Sequence, residues 1–236
     1  MTISIITAAY NRKDFLKDCI ESVQASILLP FSDLEIEHLV FDDGSTDDTE
    51  KIWRKDPRIK FMRWENNQGA AAARNEAMKK AQGDYIFVLD SDDILLQRTL
   101  SYMYKALHED TKEWVYSDFL RVDRDLRYLP KEDYFGWPFN NPQEIINAIL
   151  KGEHFFQHNV LFTKKLFFEV GGYDNNLLNY HDLDLFIRFL RAGKMPLYLP
   201  IISHLHRMHE GNLSIGQGGE QHFKNLEVLK RKYSLS

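Results

Sequence analysis

Residues 87–93 read Phe-Val-Leu-Asp-Ser-Asp-Asp, an apolar run that ends in three carboxylates within four residues. The apolar part is typical of a buried strand that stops at Leu89. Carboxylates crowded at a strand end repel one another and are costly to bury, so they favour a counter-charge. A divalent cation carrying a phosphorylated ligand would supply that charge, because hard cations take carboxylate oxygens. Taken alone, the same residues also fit a solvated acidic turn that caps the next helix.

The chain on either side of this stretch alternates short apolar runs with helical patterns, which is typical of a parallel sheet covered by helices. The predicted strands of the first half are 3–8, 36–41, 59–63, 84–89 and 114–119. The predicted helices between them are 13–25, 45–54, 70–81 and 96–107. We therefore predict an α/β fold with a mostly parallel central sheet and helices on both faces.

The pattern is less regular after Arg121. Residues 121–142 are rich in charges, aromatics and prolines without a clean period, which favours a loop region over a site. Strands are predicted at 155–162 and 197–199, and a His- and Gly-rich loop at 203–219. Helices are predicted at 142–150, 163–170, 182–192 and 220–233.

Composition excludes several classes of protein. A net charge of -5 and a pI near 6.0 argue against a nucleic-acid binder, which needs a basic face. The single cysteine, Cys19, allows no intramolecular disulfide and no cysteine zinc cluster. The chain begins with a strand rather than a signal peptide, and no apolar run approaches the roughly 20 residues of a membrane span. We expect a cytoplasmic protein, with peripheral docking at the inner face of the membrane left open.

Polar clusters follow three of the predicted strands, at residues 9–12, 42–45 and 90–93. If these strands are parallel, the clusters meet at the carboxyl edge of the sheet, where open α/β sheets bind their ligands. Tyr10 suits stacking on a base, and a strand-end aspartate such as Asp42 suits the imide N–H of uracil or ribose hydroxyls. Arg74 offers a planar donor fork near a helix N-terminus. The alternatives are a core aromatic for Tyr10 and a surface helix arginine for Arg74.

The chain resembles the family 2 glycosyltransferases. The motifs that carry the resemblance, in matching order and spacing, are residues 3–11, 42–49, 67–69, 73–75, 83–86, 89–93, 171–174 and 181–188. The resemblance implies a GT-A fold, with residues 1–120 as a nucleotide-sugar donor-binding half and residues 121–236 as an acceptor-binding half with a C-terminal helix, in one continuous domain. It also implies inverting transfer of a sugar from a nucleotide-diphospho-sugar, with a UDP-sugar as the expected donor, to a glycan or lipid-linked acceptor, assisted by Mn²⁺ or Mg²⁺.

The resemblance assigns the donor side to these strand ends. Ala8, Tyr10 and Asp42 are placed at the nucleotide with Arg74 nearby, and Asp90 faces the ribose. Asp92, the last residue of the Asp-Ser-Asp (DXD) motif, would hold the metal on the diphosphate. Metal and donors together would stabilise the charge of the departing diphosphate.

Inversion in one displacement needs a base opposite the leaving group, and Asp182 stands at the position of the family's base. A carboxylate in hydrogen-bond reach of the acceptor hydroxyl can take its proton. The usual family pair is Glu-Asp, whereas this chain has His181-Asp182, which puts the base assignment in question if the glutamate were essential. The alternative is that Asp182 only caps its helix.

Residues 204–209, His-Leu-His-Arg-Met-His, contain three histidines but no second cluster to complete a zinc site. Arg207 and His209 match an Arg-x-His element of the family, which implies a diphosphate contact for Arg207 and a metal or phosphate contact for His209. An ordinary surface loop is the alternative.

Two other functions compete with sugar transfer. A sugar-nucleotide nucleotidylyltransferase would want a glycine-rich basic loop after the first strand, where this chain has Ala8-Ala9-Tyr10-Asn11. A non-catalytic nucleotide-sugar-binding module is disfavoured by the intact acidic cluster and Asp182, although His181 keeps it open.

Overall fold

A computed structural model describes residues 1–27, 34–131, 133–154, 156, 159–177, 179–212 and 218–233. Over these residues the chain forms one eight-stranded sheet in the order β3-β2-β1-β4-β7-β6-β8-β5. The strands are β1 Thr2–Ala9, β2 Glu35–Asp43, β3 Lys60–Trp64, β4 Tyr85–Val88, β5 Ile94–Leu95, β6 Trp114–Val122, β7 Val160–Thr163 and β8 Leu197–Arg207. Strands β1 to β4 pair in parallel, β6 pairs in parallel with β8, and β7 and β5 run antiparallel to their neighbours.

Helices cover both faces of this sheet. They are α1 Leu16–Ile27, α2 Thr49–Trp53, α3 Ala70–Lys80, α4 Thr99–Asp110, α5 Pro142–Lys151, α6 Lys164–Glu169, α7 His181–Arg191 and α8 Gly218–Tyr233. Helices α3, α5, α6, α7 and α8 pack on one face. Helices α1 and α4, with Trp53 of α2, pack on the other. The α/β prediction, with a mostly parallel central sheet and helices on both faces, is confirmed.

The central strands bury both faces, which explains their continuous apolar runs. Along β1, Ile3 and Ile5 enter the core under α1 and α4, whereas Ile6 enters the core under α3. Successive residues of a strand point to opposite faces of the sheet. A strand with helices packed on both faces therefore needs apolar residues at every position. Cys19 lies on the buried face of α1, as its helical spacing predicts.

Two predictions near the C-terminal part of the sheet are wrong. The strand predicted at 197–199 continues to Arg207, so residues 203–207 of the predicted loop are strand. The short strand Ile94–Leu95 was not predicted, and it pairs with Leu205 and His204 of this longer β8. A strand is predicted at 155–162, and the observed strand β7 begins at Val160. Residues 155, 157 and 158 lie outside the described residues.

The predicted boundary between a donor half and an acceptor half falls inside β6, which spans Trp114–Val122. Both halves supply strands to the same sheet, because β7 pairs with β4 as well as with β6. The division of the chain into two functional halves stays a prediction.

Candidate functional site

The strand ends that carry the polar clusters are neighbours. Strand β1 lies between β2 and β4, with Ala9 opposite Asp42 and Ile6 opposite Val88. Residues 9–12, 42–45 and 90–93 therefore follow three adjacent parallel strands at one edge. This juxtaposition is the one that the sequence predicts, and it brings Ala8, Tyr10, Asp42, Asp90 and Asp92 to the same edge.

The loop after β2 is held in place by the backbone and by two short polar side chains. Asn11 accepts the N–H of Thr46 on its Oδ1 at 2.8 Å, and its own N–H donates to Ser45 at 2.8 Å. The carboxylate of Asp43 accepts the N–H groups of Gln68 and Gly69, each at 2.8 Å. Asp43 thus ties this loop to the start of α3 rather than facing a ligand, and burial raises the pKa of its carboxyl.

The residues predicted at the base differ in exposure. Tyr10 is 41% exposed, so it is not a core aromatic and its ring is accessible to a ligand. Ala8 is partly buried under it in the sheet. Asp42 is fully buried; its Oδ1 accepts the N–H of Ser45 at 2.9 Å, and its Oδ2 accepts a hydrogen bond from Arg63. Arg63 could not be predicted at the site from the local pattern, because its partner Asp42 lies on the neighbouring strand.

Arg74 is buried and joins two parts of the site. Its Nη2 donates to Oδ1 of Asp90 at 2.5 Å, and its Nη1 donates to Nε2 of His181. Burial alone would lower the pKa of Arg74, but the carboxylates of Asp90 and Asp182 outweigh it and the pKa is raised. The surface-arginine alternative is wrong, since Arg74 is 5% exposed.

Asp92 and His209 are in direct contact. Oδ2 of Asp92 lies 2.9 Å from Nε2 of His209 and 3.4 Å from Nε of Arg12. The His209 ring stacks on Phe15 with centroids 4.4 Å apart. The predicted metal pair is therefore assembled in space across 117 residues of sequence. Arg12 belongs to the polar cluster at residues 9–12, but it was not predicted as a contact of Asp92.

Arg207 contacts Phe15, the ring on which His209 stacks. Its guanidinium donates to Asp18 of α1 at 2.8 Å and lies over the Phe15 ring at 5.1 Å, and the residue is only 3% exposed. Its backbone N–H donates to Asp93 at 2.9 Å. The structure therefore gives Arg207 a packing role, and its predicted diphosphate contact stays a prediction.

Asp93 fastens the end of β8 to the end of β4. Besides the N–H of Arg207, it contacts Nδ1 of His206 at 3.3 Å and lies 3.7 Å from Nε2 of His204. These three residues bring metal-ligand atoms within 4.8 Å of one another. Burial raises the pKa of Asp93, and its carboxylate raises the pKa of His206 against the effect of burial. A hydrogen-bonded carboxylate–imidazole clamp accounts for these contacts and places the segment that carries His209.

Asp182 lies in the first turn of α7, half-buried, and its Oδ1 accepts the N–H of Leu183 at 2.9 Å. This bond goes to the next residue along the chain, so it is not a helix cap, and the N-cap position of α7 is Tyr180. Burial and then the Asp182 charge raise the pKa of the neighbouring Tyr180 to about 12. The charge of Asp182, after that of Asp90, also raises the pKa of Arg74.

The aromatic stretch 134–139 lies beside β6, where Tyr134 pairs with Phe119. Phe135 is 58% exposed and Trp137 is 40% exposed, whereas Tyr134 is buried against Phe119. A cavity of about 320 Å³ opens between Phe139, Tyr198 and the start of β6. This cavity is at the opposite edge from Asp92, because β6 is parallel to β4 through their shared neighbour β7. Among the described residues no helix has the length and apolarity to cross a membrane.

Comparisons with known proteins agree with this geometry. The family model for "Glycosyl transferase family 2" matches residues 4–171. The chain is 28% identical to a chondroitin synthase of Escherichia coli over 98% of its own length and 34% of that protein. It is 30% identical to the Escherichia coli UDP-Glc:alpha-D-GlcNAc-diphosphoundecaprenol beta-1,3-glucosyltransferase WfaP, over 97% of this chain and 85% of WfaP. The S. aureus TarS 1–349 structure in complex with UDP-GlcNAc superposes with a TM-score of 0.72 at 21% identity, covering 90% of this chain and 60% of that one.

Proposed function

Because this chain belongs to glycosyl transferase family 2 and is a glycosyltransferase, we propose that it moves a sugar from a UDP-sugar to a hydroxyl of a glycan or lipid-linked glycan, with inversion at the anomeric carbon. The observation that carries the proposal is the position of Arg74. It binds Asp90 on the donor side and His181, the neighbour of Asp182, on the other. A carboxylate assigned to the donor and the residue next to the base candidate thus contact the same buried cation.

The names of the relatives support the choice of donor and acceptor. WfaP is named for a UDP-glucose donor and a diphosphoundecaprenol-linked acceptor, and a solved TarS complex contains UDP-GlcNAc. The chondroitin synthases are named for a glycan product, but the chain spans only 34% and 22% of the two that it matches. A lipid-linked acceptor would bring this chain to the inner face of the membrane.

Asp92 and His209 would hold the divalent cation. Their facing oxygen and nitrogen atoms are 2.9 Å apart, so both side chains already point at one place. A mixed oxygen and nitrogen pair suits Mn²⁺ better than Mg²⁺, which is bound mainly by oxygens. When bound, the ion would neutralise charge that develops on the departing diphosphate.

The protein's own groups would do the rest of the chemistry. The exposed ring of Tyr10 stacks on the base, Asp42 at the end of β2 lies on the base side, and Asp90 binds the ribose. The bond between the anomeric carbon and the diphosphate oxygen breaks as the acceptor oxygen bonds to that carbon. The acceptor's proton goes to the carboxylate of Asp182, which acts as general base. Attack from the side opposite the leaving group inverts the configuration.

Calorimetric titration with UDP, GDP and dTDP, each with and without Mn²⁺, tests this proposal. Of the three nucleotides, we expect only UDP to bind tightly, and only when Mn²⁺ is present. Asp92→Asn should lose the Mn²⁺-dependent part of the UDP affinity, because a neutral amide is a poor ligand for a hard cation. Tight binding of another nucleotide would correct the donor, and equal UDP binding without Mn²⁺ would remove the metal from the proposal.

A further inference from the structure

We propose that His181 is a positioning residue, which holds Arg74 against Asp90 at the helix turn that carries Asp182 and does so only as a neutral imidazole. The inference rests on the proposed function, since it gives a purpose to the residue that stands where the family pair has glutamate. It explains how a histidine at this place supports transfer.

The contacts define a chain of three side chains across the site. Asp90 accepts from Nη2 of Arg74 at 2.5 Å, and Nε2 of His181 accepts from Nη1 of the same guanidinium. Arg74 and His181 are 5% and 6% exposed. The ring of Tyr173 packs edge-on against His181 at 5.3 Å and lies 6.0 Å from the Arg74 guanidinium carbon. Arg74 is thus held on both sides of its fork by groups from different elements.

The protonation state of His181 follows from this geometry. An arginine only donates hydrogen bonds, so Nε2 must present its lone pair and the ring proton must be on Nδ1. A protonated ring has no acceptor and would place a second cation against a buried arginine. The charged and titratable groups around the ring are Arg74 from α3, Asp90 after β4, Tyr173 after α6, and Tyr180 and Asp182 beside it in the chain. Burial raises the pKa of Tyr173, so this hydroxyl stays neutral.

This contact ties the base to the donor side. His181 opens α7 and Asp182 follows it directly, so fixing the imidazole on Arg74 fixes the first turn that carries the base. Protonation of His181 would release Arg74 from this turn. We therefore expect the contact to be lost at low pH together with transfer.

Two substitutions separate this role from simple packing. His181→Gln places an amide oxygen near the position of Nε2 and can still accept from Arg74, whereas His181→Asn is too short to do so. His181→Asn should lower kcat about 10–100-fold, the usual cost of leaving a buried donor unpaired, with KM for the donor little changed. His181→Gln should keep most of the wild-type kcat, and the acid limb of its pH profile should move to lower pH, because protonation of residue 181 can then no longer release Arg74. Equal kcat in both variants, or an unmoved acid limb, would overturn the proposal.

A measurement without turnover keeps this test independent of the proposed function. Long-range ¹H–¹⁵N spectra report which ring nitrogen carries the proton, and the His181 signals are those missing from His181→Gln. We expect an unprotonated Nε2 in the wild type at neutral pH, and a protonated Nε2 would overturn the inference. If no donor and acceptor pair gives turnover while this signature is present, the proposed function fails and the Arg74 contact stands.

Discussion

Asp182 and Asp184 stand two residues apart in α7 and have opposite surroundings. Asp182 is half-buried at the site and bonds a helix N–H. Asp184 is fully buried, binds Arg188 at 2.8 Å and Tyr233 at 2.6 Å, and lies 2.6 Å from Lys232. An aspartate carboxylate is therefore suited to proton transfer at position 182 and to anchoring helix α8 at position 184.

These surroundings predict different consequences for the same change. Asp182→Asn should lower transfer by about 10²–10⁴-fold, the usual contribution of a general base, and leave UDP binding and the unfolding midpoint in urea unchanged. Asp184→Asn should instead destabilise the fold by about 1–3 kcal/mol, because the buried amide loses the charge-assisted hydrogen bonds to Arg188 and Tyr233. Single-turnover assays and urea unfolding of the two variants check this. Normal transfer by Asp182→Asn would reject its assignment as the base.

Residue by residue, the sequence predicts positions better than partners. Asp42, Asp90 and Asp92 could be placed because strand ends of a parallel sheet share one edge. The contacts of Arg63 with Asp42 and of His181 with Arg74 could not be predicted. Arg74 and His181 are 107 residues apart, and their contact depends on how α7 packs. Arg207 was predicted at the site, but its backbone amide is what contacts the acidic cluster.

At the scale of elements, β8 shows where a local pattern misleads. Its residues 203–207 are polar and His-rich, which predicts a loop, yet Ser203, His204, His206 and Arg207 are buried. Pairing with β6 and β5 supplies partners for the backbone groups of this segment, and the Asp93 carboxylate contacts both of its imidazoles. Long-range pairing therefore overrides the local preference, as it often does for strands.

The turn after β2 is an element whose backbone needs glycine. Gly44 has φ +74, and a Cβ there would lie 2.7 Å from the carbonyl carbon of Asn66. Gly193 has φ +76 with open space around it. Gly193→Ala should cost only the left-handed strain, about 1–2 kcal/mol. Gly44→Ala should cost more and also weaken UDP binding, because the 66–68 loop must move.

Urea unfolding and UDP titration of Gly44→Ala and Gly193→Ala test this difference. Equal destabilisation of the two would show that the 66–68 loop yields without cost. Unchanged UDP affinity in Gly44→Ala would show that this turn does not shape the nucleotide site.

For the whole molecule, the sheet carries buried polar groups in its centre as well as at its edge. His38 is 2% exposed in β2, and its Nε2 lies 2.9 Å from the hydroxyl of Thr7 in β1. Burial disfavours the charged imidazole and lowers the pKa of His38 to about 3. Burial also lowers the pKa of His154, on the acceptor side, to about 4. The fold therefore holds both rings neutral at pH values where the unfolded chain would protonate them.

This difference gives the stability of the whole chain a dependence on pH. The folded pKa of His38 is depressed, so its stabilising effect is complete above the unfolded value near 6.5 and is lost as pH falls toward 3. As pH falls from 7 to 5, the neutral His38 should lower the free energy of unfolding by about 2 kcal/mol. The slope below pH 6.5 is about 1.4 kcal/mol per pH unit. In His38→Gln, which cannot titrate, the drop measured by urea unfolding should be smaller by that amount. His108→Gln, a change at an exposed histidine of α4, should keep the wild-type drop; an equal drop in all three proteins would mean that His38 does not stay neutral in the fold.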